Sequence, residues 1–166
     1  LSVAGVLNNE FYLLSGATLQ VNAGDTLPRR KYLNDAFVYN TKKGWRKIQN
    51  LPHAIVAAPT PAYSNEQRLY VFGGDDGSRA DQNAVLKDMH PGFTTDILSY
   101  NIRTAAWERV GNVYTNRKPD AADQPNSSTW APVTTPLVEW RNKIILPQGE
   151  VRPGVRTNRV LVASPE

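Results

Sequence analysis

The chain has 166 residues, of which 40% are hydrophobic and 20% charged, with a net charge of +4 and no cysteine. This is the composition of a globular protein, long enough for one domain with a proper core or for part of something larger, and it excludes disorder as the overall state. No apolar run approaches the roughly 18 residues of a membrane span, the missing cysteines remove disulfides, thiolate nucleophiles and Cys-based zinc sites, and the basic residues, scattered among turns, do not form a nucleic-acid-binding face.

The first readable element is "VLNNEFYLLSG" at 6–16: a strand, a turn at Asn8-Asn9, and a second apolar strand that stops at Gly16. A basic cluster, Arg29-Arg30-Lys31, lies in the connection to "DAFVYN" at 35–40, which Trp45 follows. His53, in "NLPHAI", falls at a junction and reads as packing. The pattern then repeats: "AYSNEQRLYVFGG" at 62–74 carries a turn at Asn65-Glu66 and stops at Gly73-Gly74, and "DILSYN" at 96–101 is followed by Trp107. Between them lie Asp75 and Asp76, read as carboxylates that satisfy turn amides, and His90. A polar stretch over 111–133, rich in Pro and Asn, reads as a tolerated surface insertion in preference to a lid. A third copy, "VEWRNKIILPQG" at 138–149, leads through "EVRPGVRT" into "NRVLVA" at 158–163. Gly149, Pro153 and Gly154 suffice to turn that last connection, so its glutamate and arginines call for another explanation.

Each unit is a meander of antiparallel strands, termed a to d here, in which b ends at glycine, c carries the Tyr and d the Trp. A single sheet of this kind cannot bury both faces, so the units must stack. These marks resemble the kelch repeat. The second unit matches in full with Gly73, Gly74, Tyr100 and Trp107; the first has Ser15-Gly16 but keeps Tyr39 and Trp45; the third has Gln148-Gly149, lacks the Tyr and stops before strand d. The resemblance implies an all-β, kelch-type β-propeller with about three blades present, at about 1–50, 51–110 and 134–166, separated after the second by the insertion at 111–133. The repeated Tyr and Trp are expected in the core. A full ring of six or seven blades needs roughly 300 residues, so the chain reads as a half propeller, either cut from a longer chain or completed by self-association.

In such a fold the b–c and d–a connections share one face, and that face collects the unusual residues: Arg29 to Lys31, Asp75, Asp76, His90 and the "EVRPGVRT" segment. The last of these, with its preceding glycine, "GEVRPGVRT", resembles the corresponding loop of the N-acetylneuraminate epimerases, kelch-type sialic acid mutarotases; "GGDDG" and "HPGFTTDILSYN" are also similar to segments of that family. The resemblance implies interconversion of the α and β anomers of N-acetylneuraminate, with Glu150 as proton acceptor and Arg156 beside it in the site. A positioned carboxylate can take the anomeric proton, and a guanidinium can hold the sugar's carboxylate through paired hydrogen bonds; Arg156 is the expected clamp. Arg152 could reach the same ligand, although solvent is the favoured placement. His90 is a candidate acid or ligand contact, or a partner of a neighbouring loop.

No cofactor or metal is implied, and a small anionic sugar is the expected partner, with neither nucleic acid nor membrane. The bland alternative for Glu150 and Arg156 is an ion pair that pins the turn. For the whole chain the alternatives are a non-catalytic kelch protein- or carbohydrate-binding module, or an inactive fragment of the enzyme; a copper oxidase of the galactose oxidase kind is excluded by the missing cysteine. The family suggests a periplasmic or secreted location.

Overall fold

In the computed structural model, residues 1–21, 23–24, 26–86, 89–118 and 127–165 are described. They form a partial kelch β-propeller of three antiparallel sheets in sequence order. The first sheet is a four-stranded meander of β1 (Val3–Leu7), β2 (Glu10–Gln20), β3 (Arg29–Asn40) and β4 (Gly44–Lys47). The second is β5 (Tyr63–Ser64), β6 (Arg68–Gly74), β7 (Thr94–Asn101) and β8 (Ala106–Asn112). The third is three-stranded, with β9 (Val138–Trp140), β10 (Lys143–Arg152) and β11 (Val155–Ala163), and no outer strand follows among the described residues. The helical content of the described residues is a 3-10 turn at Ala80–Gln82 and a single turn α1 (Asn83–Leu86) in the second b–c connection.

The sheets stack because their strands are apolar on the faces that meet. Along β6 the side chains alternate: Leu69 and Val71 join Tyr12, Leu14, Val38 and Leu98 in a core between blades one and two, while Phe72 joins Leu137, Ile144 and Leu146 between blades two and three. The middle blade is thus covered on both sides, which is why "LYVF" is apolar without interruption. Trp107 of β8 donates its indole N–H to the carbonyl of Gln49 in blade one at 2.9 Å, and its ring lies 5.1 Å from that of Tyr100. Tyr39 and Trp45 repeat this ring pair in blade one, at 5.2 Å, yet Trp45 is 54% exposed. The expectation that all repeated aromatics are core therefore fails in blade one, because among the described residues no further blade covers that face.

The inner edges of the blades are joined by main-chain hydrogen bonds. Ala57 N–H donates to the Leu1 carbonyl and Thr134 N–H to the Ala57 carbonyl, both at 2.8 Å, while Ala62 N–H donates to Ala4 at 2.7 Å and Leu137 N–H to Thr60 at 3.1 Å. These bonds hold the segments that lead into β5 and β9 against the corresponding part of the preceding blade.

Candidate functional site

The site grows out of the repeated glycine position. At each end of strand b two residues have positive φ: Ser15 and Gly16 at 55° and 126°, Gly73 and Gly74 at 66° and 117°, Gln148 and Gly149 at 59° and 124°. The first is left-handed, which Ser and Gln can adopt at modest cost; the second is a conformation open in practice only to glycine. Space is also closed there, since a Cβ on Gly74 would lie 2.8 Å from the Ile55 backbone and one on Gly149 2.7 Å from the Val133 carbonyl oxygen. This explains why the first and third units depart from the double glycine at its first position only. Each pair produces a bulge against strand c, and a bulge re-aims the residues that follow it.

The residue after the second glycine is Ala17, Asp75 or Glu150. Asp75 and Glu150 are each clamped by two main-chain hydrogen bonds to the incoming d–a segment, Asp75 with Val56 at 2.8 and 2.9 Å and Glu150 with Val133 at 2.7 and 2.9 Å. They are therefore equivalent positions of adjacent blades, and both line one cleft of about 280 Å³ together with Arg30, Asn83, Thr134 and Pro153. The Glu150 carboxylate accepts from Gly154 N–H at 2.9 Å and from the Thr134 hydroxyl at 3.5 Å. That of Asp75 accepts from Gly77 N–H at 2.9 Å and from the Tyr32 hydroxyl at 3.0 Å. Burial, then the Asp75 charge and hydrogen bond, push the Tyr32 hydroxyl up from its ordinary pKa, while the nearby Arg30 acts the other way. The Asn83 side-chain oxygen is buried with no hydrogen-bond partner among the described residues.

No protein-family model matches the chain. Two curated proteins, both named N-acetylneuraminate epimerase and from Haemophilus influenzae strains 86-028NP and PittEE, are each 24% identical to it over 178 aligned positions, covering 93% of this chain and 42% of their own length. The chain is similar in sequence to proteins named N-acetylneuraminate epimerase. It spans about two fifths of these epimerases, and it is also similar to the solved structure of YjhT, with a TM-score of 0.68 and 17% identity over 98% of this chain and 48% of that one. The latter likeness concerns the fold.

The residues singled out by the epimerase resemblance are not all brought together. Glu150 lines the cleft, and Arg156 is its direct cross-strand partner on β11, exposed at the surface. The segment read as a loop is instead a continuation of β10 and β11 closed by Pro153-Gly154 alone, and Gly149 forms the bulge, not the turn. Arg152 does not face solvent: it is 6% exposed, and its guanidinium lies 5.3 Å from the Trp130 ring centroid. Trp130 belongs to the expected insertion, whose described flanks pair at Asn116 and Thr129 and pack on the site face, where a Cβ on Gly92 would come within 2.7 Å of the Trp130 ring. A surface arginine in a hairpin offers no sequence sign that an aromatic ring more than twenty residues upstream will cover it. Residues 119–126 of that insertion lie outside the described residues.

His90 is 4% exposed, with its Nδ1 accepting from Gly92 N–H at 3.1 Å and its ring 5.9 Å from Phe93, a residue of the cleft. Burial lowers its pKa, Asp75 opposes this, and Arg79 and Arg152 add to it. Asp76 accepts from Ser78 N–H at 2.9 Å, a turn amide as expected. His53 spans its junction, with Nε2 3.1 Å from an Asp96 carboxylate oxygen that shares its group with Arg109. Sequence reading missed Tyr32, Asn83 and Thr134, and gave Asp75 only its turn role. The position after the repeated glycine was the available signal for Asp75; Tyr32 had none, because its partner is 43 residues away in another blade.

Proposed function

We propose that the protein opens and recloses the hemiketal ring of N-acetylneuraminate or a related sialic acid, interconverting its anomers. The observation that carries this reading is the placement of Glu150. Its backbone is fixed on both sides by Val133 and its carboxylate lines a cleft large enough for part of a sugar, in a chain related to proteins named for that substrate. Glu150 removes the proton of the anomeric hydroxyl as the bond from the anomeric carbon to the ring oxygen breaks, and the ring oxygen takes a proton from water. The open-chain ketone presents its other face, the ring recloses, and the two protons return, so that nothing is consumed. General acid–base assistance of this kind is worth about 10²–10⁴-fold. Arg156, directly across the ladder from Glu150, is the cationic residue that accompanies it in the site.

The test is proton NMR of freshly dissolved single-anomer N-acetylneuraminate with the protein, with Glu150→Gln and with buffer alone. Acceleration by the native chain that disappears in Glu150→Gln is the expected result. A native rate equal to buffer would refute the reading and leave a binding module or an inactive portion of the enzyme.

A further inference from the structure

An anionic sugar entering this cleft meets two carboxylates, Asp75 and Glu150, and the arginine that shares the cleft lining with them is Arg30. Placing a third carboxylate beside two others without a cation is strongly unfavourable once water is displaced. Arg156 stands across the ladder from Glu150 but is not among the residues that line this cleft, and Arg152 is buried against the Trp130 ring. We propose that Arg30, from blade one, is the residue that holds the substrate's carboxylate. The inference rests on the anomer-interconversion reading for the identity of the ligand, and on the cleft alone for its charge.

Three features prepare Arg30 for that role. The β2–β3 hairpin runs beyond the sheet, with Leu19 opposite Arg30 and Ala17 opposite Tyr32, so a strand and not a loose loop delivers the side chain. Arg30 and Tyr32 are two apart on β3 and so share a face of the strand, and the Tyr32 hydroxyl donates to Asp75. The Tyr32–Asp75 bond crosses from blade one to blade two and fixes the strand that carries Arg30. The Tyr32 ring is itself fixed over Gly77, where a Cβ would lie 2.5 Å from it. A guanidinium has five donors in a planar fork and can offer a parallel pair of them to a carboxylate. Arg30, Asp75 and Glu150 come from three consecutive blades, so the three groups are all carried by this portion of a propeller. Asn83, with its unmatched buried oxygen, is placed to accept from an amide or hydroxyl of the same ligand.

The experiment compares ligand-observed NMR binding of N-acetylneuraminate with that of its methyl ester, which keeps the hemiketal and loses the charge. The proteins are the full chain, Arg30→Ala, Arg30→Gln, Tyr32→Phe and Arg156→Ala, each checked by circular dichroism. The full chain is expected to prefer the acid by roughly tenfold or more, as a charge-assisted pair implies. Both Arg30 variants should lose that preference, Tyr32→Phe should weaken it by releasing the strand that carries Arg30 from Asp75, and Arg156→Ala should keep it. No acid preference in the full chain, or a preference retained in Arg30→Ala, overturns the proposal. Anomer equilibration followed in the same samples separates the two readings. Arg30-dependent acid preference without acceleration refutes mutarotation and leaves the clamp; acceleration with an unchanged KM in Arg30→Ala refutes the clamp and leaves mutarotation.

Discussion

Gly149→Ala tests whether the repeated glycine geometry positions the site. The residue has φ of 124°, and a Cβ there would sit 2.7 Å from both Pro132 Cβ and the Val133 carbonyl oxygen. Either Gly149 leaves this conformation or the incoming segment moves away, and the second outcome breaks the two Val133–Glu150 hydrogen bonds. The backbone conformation alone costs about 1–3 kcal/mol for a non-glycine residue. With two hydrogen bonds at about 0.5–1.5 kcal/mol each, the loss is about 2–6 kcal/mol. At about 2–4 °C per kcal/mol for a chain of this size, the melting temperature should fall by roughly 4–24 °C. Thermal melts followed by circular dichroism read this directly, with Gln148→Gly as the control. Gln148 has φ of 59°, where glycine is equally comfortable, so that variant should change stability by less than about 1 kcal/mol. A Gly149→Ala protein that melts within about 2 °C of the parent would refute the argument that this close approach holds Glu150 in place.

Two further outcomes follow from the packing behind the cleft. The unfolded chain protonates His90 near its ordinary value of 6.5, whereas burial lowers the folded value; between the two the unfolded state binds more protons, so His90 makes stability fall as pH drops below about 6.5 and is neutral above it. Urea denaturation at pH 7.5 and 5.5 should show a smaller pH dependence for His90→Asn than for the parent, and equal dependence would show that this histidine does not titrate differently on folding. Trp130→Ala removes the ring against which Arg152 and Arg117 stack and should cost about 3–5 kcal/mol; an equilibrium change below about 1 kcal/mol would mean that the ring does not anchor the hairpin.

Much of the architecture was legible because its signals are local and repeated. Strand runs ending in glycine, and the Tyr and Trp that follow, recur at 16, 74 and 149 and at 39–45 and 100–107, and such recurrence is a property of the one-dimensional text. Glu150 was legible for the same reason, as the residue after a repeated glycine in a segment with an identifiable likeness.

Which of the charged residues meet was not legible. Asp75 and Glu150 lie one full repeat apart along the chain, and they share a cleft because main-chain bonds join Val56 and Val133 to them in the same way. Tyr32 reaches Asp75 across a blade boundary, Arg152 is buried by a Trp from the insertion, and Trp45 is exposed where Trp107 is covered. Strands, their order and the position where the backbone admits only glycine could be read from the residues alone, since these depend on neighbours a few residues apart. Which side chains lose water and which charges face one another emerges from the folded arrangement. Both depend on the stacking of blades, and stacking distances carry no trace in local spacing.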